Sequence, residues 1–159
     1  MKIAIGSDKS GFSLKEAIKA YLIANDIEFD DLGTVELDKV KPYFEVASII
    51  APLVQNGTYE KAILVCGTGA GVSIVANKYK GVHAVACESV YSARMAAALN
   101  GAKIMCMGGW IVAPENGVEM AKAFLNNKRF QDIEDWRQTW LTNADGKVKE
   151  IEENIYCLE

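Results

Sequence analysis

The amino-acid sequence predicts an α/β fold: a Rossmann-like, doubly wound five-stranded parallel sheet followed by a C-terminal helical arm. Three observations predict it. Short β-type runs alternate with stretches of helical apolar spacing along the chain, an order that implies a parallel sheet with helices on both faces. Right-handed crossovers make that sheet doubly wound. And 159 residues, 50% of them apolar, fill one domain core but would leave two domains small.

Residues 2–6 read as a buried strand ending in Gly6, and residues 11–23 as a helix with Phe12, Leu14, Ile18, Tyr21 and Leu22 at apolar positions. Residues 27–32 form the second strand. Pro42 opens the next helix, in which Phe44, Ala47, Ile50 and Leu53 recur at helical intervals; proline is tolerated in a first turn. Residues 61–65 are the third strand, and a glycine cluster leads from it into a helix over 72–78. A strand over 82–86, a helix over 89–100, a strand over 103–107 and a helix over 115–126 behind Pro114 complete the core. The chain, 1–159, reads as one domain: an α/β core over 1–127 and a more polar helical extension over 128–159. That arm carries Trp136 and Trp140 at i, i+4 spacing and a helical pattern through Val148, Ile151 and Ile155. Such a stripe suits packing on the core or on a partner subunit.

A formal charge of −4 with no basic stripe argues against nucleic acid or an acidic membrane surface as partner, since binding there releases counterions to bound cations. The apolar runs are far too short to span a bilayer. Met1-Lys2 passes straight into the first strand without a signal segment, so the expected location is cytoplasmic. None of the four cysteines, Cys66, Cys87, Cys106 and Cys157, stands in a Cys-x-x-Cys pair, and His83 is the single histidine. A zinc site and disulfides are therefore not expected. Cys87 and Cys106 read as small buried hydrophobes.

Doubly wound sheets bind ligands at the carboxyl ends of their strands, which directs attention to the residues after Gly6, Val65, Ala86 and Met107. The strongest local feature lies there. Residues 66–73, Cys-Gly-Thr-Gly-Ala-Gly-Val-Ser, leave a strand and open a helix, where free backbone N–H groups and the helix dipole favour an anion. Gly67, Gly69 and Gly71 alternate, which fits neither the phosphate loop ending in Gly-Lys-Ser/Thr nor the dinucleotide pattern Gly-x-Gly-x-x-Gly. A cysteine at the head of such a loop has its thiolate favoured by the same potential. A cysteine hydrolase would want a histidine beside it, whereas His83 sits in or before the fourth strand. Abstracting a proton next to a carbonyl needs less: one base, groups that hold the enediolate oxygens, and an anion-binding end. Cys66, Thr68 and the amides of Gly67, Gly69, Ala70 and Gly71 supply the first two. At the end of the first strand, Asp8 is suited to sugar hydroxyls and Lys9 to a phosphate; the plainer reading makes Asp8 or Ser10 a helix cap.

The opening Lys2-Ile-Ala-Ile-Gly-Ser-Asp-Lys-Ser-Gly-Phe, the Asp31-Leu-Gly-Thr34 turn, the segment 66–73, Ala76-Asn-Lys78 and Tyr91-Ser-Ala93 resemble, in order and spacing, the type B ribose-5-phosphate isomerase and galactose-6-phosphate isomerase family over residues 1–127. The resemblance implies an aldose–ketose isomerase of a small phosphorylated sugar, ribose-5-phosphate or similar, working through an enediolate. It implies Cys66 as the base that exchanges a proton between C1 and C2, Thr68 as the group that moves or holds the proton on the sugar oxygens, and the glycine-loop amides as the enediolate site. Asp8 matches the family aspartate that contacts the sugar, and Asn100 an asparagine supplied across a dimer interface. The resemblance further implies no metal or organic cofactor, and a homodimer or homotetramer with shared active sites.

The departures bear on the substrate. Lys9 stands where the family usually has histidine, as in one subunit of the galactose-6-phosphate enzymes. Leu99 replaces a histidine linked to ring opening, Trp110 replaces the arginine of a Gly-Ser-Arg turn, and Lys41-Pro42 replaces the usual Tyr-Pro pair. The C-terminal Gly-Arg-His-x-x-Arg-Val signature is absent, with Asn143 and Lys147 nearest its two arginine positions. The proton-transfer centre is kept and the phosphate clamp is rebuilt, with Lys9, Lys41, Arg94, Arg129, Arg137 and Lys147 as candidate cations. An open-chain substrate such as a tetrose phosphate would need no ring opening. Trp110 shortens the pocket, stacks on a sugar face, or simply packs. A subunit of a hetero-oligomeric isomerase and a silent sugar-phosphate-binding protein are the remaining readings, and the intact Cys66-Gly-Thr-Gly weighs against silence.

Overall fold

A computed structural model describes residues 2–157. Among them, β1 (Ile3–Ser7), β2 (Phe29–Asp31), β3 (Lys61–Cys66), β4 (Ala84–Ala86) and β5 (Ile104–Gly108) form one parallel sheet in the order β2-β1-β3-β5-β4. The helices are α1 (Phe12–Ala24), α2 (Tyr43–Gln55), α3 (Ala70–Ala76), α4 (Val90–Ala98), α5 (Pro114–Asn126) and α6 (Asp135–Tyr156). The doubly wound α/β fold expected from the alternation is the fold observed.

Strand residues alternate between two cores. Ile3, Ile5, Ile63, Val65, Met105 and Met107 pack with residues of α1, α4 and α5 such as Ile18, Ala93 and Phe124. Ala4, Ala62, Leu64, Cys66, Ile104 and Cys106 pack with residues of α2 and α3 such as Val46, Ile50 and Val72. With both faces covered, nearly every strand position is apolar. Cys66 is the last strand residue on the α2/α3 face.

Two strands are shorter than their sequence patterns suggest. Ile27 still donates its N–H to the Leu22 carbonyl (3.0 Å), closing α1, so β2 begins later. Val82 turns back onto the Tyr79 carbonyl (3.0 Å), and β4 starts only at Ala84, whose N–H and carbonyl are both held by the Asn77 amide (3.0 and 2.7 Å). The glycine-loop helix begins at Ala70, two residues earlier than its apolar spacing indicates.

The chain runs from β1 to β2 on one side and then crosses to β3 on the other, so the topological switch point lies between the carboxyl ends of β1 and β3. Ser7 is in register with Val65, and the Asp8 N–H donates to the Val65 carbonyl (3.2 Å). Beside them, the turn over residues 31–34 is held by three lysines. Lys15 is fully buried, and its ammonium donates to Asp31 Oδ2 (2.6 Å) and the Thr34 carbonyl (2.5 Å). Lys19 pairs with the same carboxylate (2.9 Å). Lys41 Nζ donates to the Gly33 and Leu32 carbonyls (3.0 and 3.3 Å).

The expected helical arm is α6, 22 residues with none buried. It is tied to the β4 side of the molecule by Glu152 accepting from the Gly81 N–H (2.6 Å) and by the Tyr156 hydroxyl donating to the Lys78 carbonyl (2.7 Å). Trp136, Trp140, Ile151 and Ile155 remain largely exposed. Among the described residues no helix is long and apolar enough to cross a membrane.

Removing one member of a buried ion pair strands the other. Lys15→Met should therefore lower the unfolding free energy by about 3 kcal/mol, the low end of such losses because Asp31 keeps Lys19. Urea unfolding measures it. A change within about 0.5 kcal/mol, as for surface substitutions, would mean that Lys19 and Lys41 suffice to hold the turn.

Candidate active site

The glycine loop lies directly on the end of β5. Gly69 has φ +78°, and a Cβ there would stand 2.8 Å from the Met107 carbonyl carbon. A Cβ on Gly108 would stand 2.7 Å from the Thr68 carbonyl carbon. Two backbone bonds fix the contact: Gly109 N–H to the Cys66 carbonyl (2.7 Å) and Trp110 N–H to the Gly67 carbonyl (3.0 Å).

In this arrangement the Cys66 side chain is nearly buried, and its Sγ accepts the Gly69 N–H (3.2 Å). A backbone donor is thus fixed on the sulfur. Thr68 is exposed; its Oγ1 accepts the Ala70 N–H (3.3 Å), leaving the hydroxyl proton to donate outward. Two amides that the sequence offered to a ligand, those of Gly69 and Ala70, thus have partners within the loop, and α3 behind them is only seven residues long. Burial raises the thiol pKa of Cys87, and raises that of Cys106 well above its ordinary value. These two are inert core residues, as their sequence positions suggested.

Across the switch point, Asp8 is half-buried and its Oδ1 accepts the Gly11 N–H (2.9 Å), closing the turn ahead of α1; the helix cap itself is Gly11, without a side-chain bond, rather than Asp8 or Ser10. Oδ2 has no partner among the described residues. Lys9 is exposed, and among the described residues its ammonium has no partner either. The other candidate cations are engaged. Lys41 holds the 31–34 turn. Arg94 pairs with Asp132 (2.7 Å), Arg129 with Asp145 (2.5 Å), Arg137 with Glu134 (3.7 Å) and Lys147 with Glu150 (2.9 Å).

Asn100 lies away from these groups. It follows α4, ahead of β5, and lines a cleft of about 380 Å³ with His83, Leu99 and Trp140. Cys66 is in register with Gly108 at the far end of β5, about 13 Å of strand further on. The structure thus brings Cys66, Thr68, Asp8 and Trp110 to one end of the sheet and leaves Asn100 and His83 at the other. Trp110 is 73% exposed, with its ring over Gly67. Sequence reasoning missed Tyr43, whose ring lies against Gly71 (2.9 Å from a Cβ placed there). The signal was present in the aromatic pair after Pro42, of which only Phe44 was counted in the apolar spacing of the helix, and it is exposed.

A family model described as Ribose/Galactose Isomerase matches residues 3–139. The 4-deoxy-4-sulfo-D-erythrose isomerase of Clostridium sp. (strain MSTE9) is 52% identical over 156 residues, 98% of each chain. The ribose-5-P isomerase B of Listeria innocua is 40% identical over 127 residues, 80% of this chain and 85% of that one. Among solved structures, Clostridium thermocellum ribose-5-phosphate isomerase B superposes with a TM-score of 0.85 at 32% identity, covering 98% of this chain and 99% of that one. Mycoplasma genitalium ribose-5-phosphate isomerase B with bound ribulose-5-phosphate gives 0.83 at 28% identity, with 96% of each chain covered. Matches that run along nearly the whole chain, in sequence and in strand order, make this protein a member of the ribose/galactose isomerase family, as the motifs of its first strand and glycine loop implied.

Proposed function

We propose that this chain interconverts an open-chain four-carbon aldose and its ketose, the substrate carrying a terminal sulfonate or, less well matched, a phosphate. One observation carries the isomerase reading: a nearly buried thiol at the switch point, with a backbone N–H directed at its sulfur. Cys66 as thiolate takes the proton from C2, and the electron pair moves to make the enediolate. The Thr68 hydroxyl and the amides of Gly67 and Gly71 steady its oxygens. The proton on O2 passes to O1, and Cys66 returns its proton to C1. One hydrogen has moved from C2 to C1 and one from O2 to O1, with no other bond changed.

Two features support a short open-chain substrate. Leu99 stands where the family has its ring-opening histidine. A tetrose with sulfonate on C4 has no C4 hydroxyl to close a furanose ring, and a tetrose 4-phosphate has that oxygen esterified, so neither needs ring opening. The charge balance favours the sulfonate. Of the six candidate cations, Lys9 alone has no partner among the described residues. One free cation suits a monoanionic sulfonate better than a phosphate monoester, which carries about −1.5 to −2 near pH 7. The relative acting on 4-deoxy-4-sulfo-D-erythrose, matched end to end, agrees with this choice.

The assembly belongs to the same proposal. Asn100 cannot reach Cys66 of its own chain, so its family role requires a homodimer or a homotetramer with shared sites. The exposed Trp136 and Trp140 of α6 are the kind of surface that anchors an interface.

In heavy water, loss of the C2 proton signal should be fastest with 4-deoxy-4-sulfo-D-erythrose, slower with D-erythrose 4-phosphate and slowest with D-ribose 5-phosphate. Fastest exchange on the pentose would return the substrate to a five-carbon sugar phosphate, and exchange on none would overturn the isomerase reading. Cys66→Ala should lower turnover by about 10²- to 10⁴-fold while the chain still unfolds cooperatively.

Thiol labelling checks the same residue independently. Cys157 is exposed, so it is first replaced by serine. Brief iodoacetamide treatment should then label Cys66 ahead of Cys87 and Cys106, and equal labelling of Cys66 and Cys106 would mean that the loop does not favour the thiolate.

Mixing inactive Cys66→Ala and Asn100→Asp chains after dissociation should restore part of the activity, because hybrid dimers contain one site with both native residues. A dead mixture whose masses show hybrids would place each site within one chain.

A further inference from the structure

Two aromatic rings stand at the ends of the glycine loop, and plain packing does not account for them. The Trp110 ring lies over Gly67, three of its carbons 2.7–2.8 Å from where a Cβ would be, yet the residue is 73% exposed. The Tyr43 ring lies against Gly71, 2.9–3.0 Å from the corresponding position, and the residue is 40% exposed. A ring that served only as cover would bury more of itself. The backbone beneath each ring is fixed. The Trp110 main-chain N–H donates to the Gly67 carbonyl, two residues beyond β5. Tyr43 opens α2 directly after Pro42, whose ring fixes the entry of the chain, and it packs edge-on against Phe44 (5.5 Å between centroids, 81°). Between the rings the loop presents the exposed Thr68 and Ala70. Among the described residues the Tyr43 hydroxyl makes no hydrogen bond.

We propose that Trp110 and Tyr43 set the length of the substrate. Resting on the isomerase reading, the inference places C1 and C2 at Cys66 beside the indole and runs the chain along Thr68 and Ala70 towards Gly71. A four-carbon chain ends at the Tyr43 ring, with the hydroxyl donating to its terminal anion, whereas a fifth carbon meets the ring. Specificity for chain length therefore sits on this chain's own α2 and on the turn after β5, apart from the groups that move the proton.

The test is binding, which needs no turnover. Erythritol 4-phosphate and ribitol 5-phosphate are polyols that cannot isomerise, and calorimetry gives their affinities for the full chain and its variants. The wild type should bind the four-carbon polyol at least about ten-fold more tightly, the scale on which one added carbon is resisted in a shaped pocket. Tyr43→Ala and Trp110→Ala should each bring the two affinities to within about three-fold. Tyr43→Phe should weaken the four-carbon polyol about ten-fold or more, as the loss of one hydrogen bond to an anion does, and leave the five-carbon one little changed. Should Tyr43→Ala fail to fold, Gly71→Ala displaces the same ring from the loop side and should also narrow the ratio. A wild type without length preference, or a ratio unchanged in the variants, overturns the proposal even if heavy-water exchange proceeds. A preference abolished by the variants upholds it even if no exchange is seen, in which case the isomerase reading alone fails.

Discussion

No side chain fits between the end of β3 and the end of β5, and the candidate site is built on that exclusion. A Cβ on Gly69 would strike the Met107 carbonyl carbon, and one on Gly108 the Thr68 carbonyl carbon, at distances no Cβ tolerates, and Gly69 also holds a φ of +78° that only glycine adopts without strain. Closing the gap does three things at once. It lets Gly109 and Trp110 donate to the carbonyls of Cys66 and Gly67, it brings the Gly69 N–H onto the thiol sulfur, and it lays the indole along the loop. A residue with a side chain at position 69 or 108 would lift the loop from the strand and lose all three together.

The other wall of the crevice depends on charge rather than on shape. Lys15, Lys19 and Lys41 converge on one short turn, and this turn holds the end of β1 through the Thr34 N–H and the Ser7 carbonyl (2.8 Å). A buried ammonium is tolerable only when hydrogen-bonded to opposite charge and carbonyls, which is what Asp31 and Thr34 provide. The consequence reaches the ligand. Five of the six basic residues that the sequence offered to a phosphate are bound to the protein's own carboxylates and carbonyls, and Lys9 alone among the six has no partner among the described residues. In the proposed function that economy matches a sulfonate.

Much of this was legible in the sequence, and the failures have physical causes. The five strands and the loop at residue 66 follow from apolar runs and glycine spacing, which are local signals. Asp8 lies three residues ahead of the Gly11 cap, its Oδ1 on the Gly11 N–H, because the chain makes one more turn before α1 begins. Lys41 looked like a ligand cation because a lysine's partners across a turn are tertiary. Lys15 drew no attention, since a helical lysine is ordinarily solvated; the buried pocket that receives it is made by a turn sixteen residues later. Tyr43 was passed over because a ring that packs on a glycine leaves no periodic trace, the glycine contributing nothing to hydropathy patterning.

The separation of Asn100 from Cys66 is a consequence of topology. In a parallel sheet every helix returns the chain from the carboxyl end to the amino end, so the residue after α4 must lie at the amino end of β5, while the glycine loop must lie at the carboxyl end of β3. No rotamer or loop adjustment bridges a full strand length. Trp140 of α6 lines the same cleft as Asn100 and Leu99, which puts the exposed aromatic face and the asparagine on one continuous surface. If a second copy covers that face, the asparagine is carried to the interface with it, and the fold that keeps the two residues apart in one chain is what makes a site shared between two chains the economical arrangement.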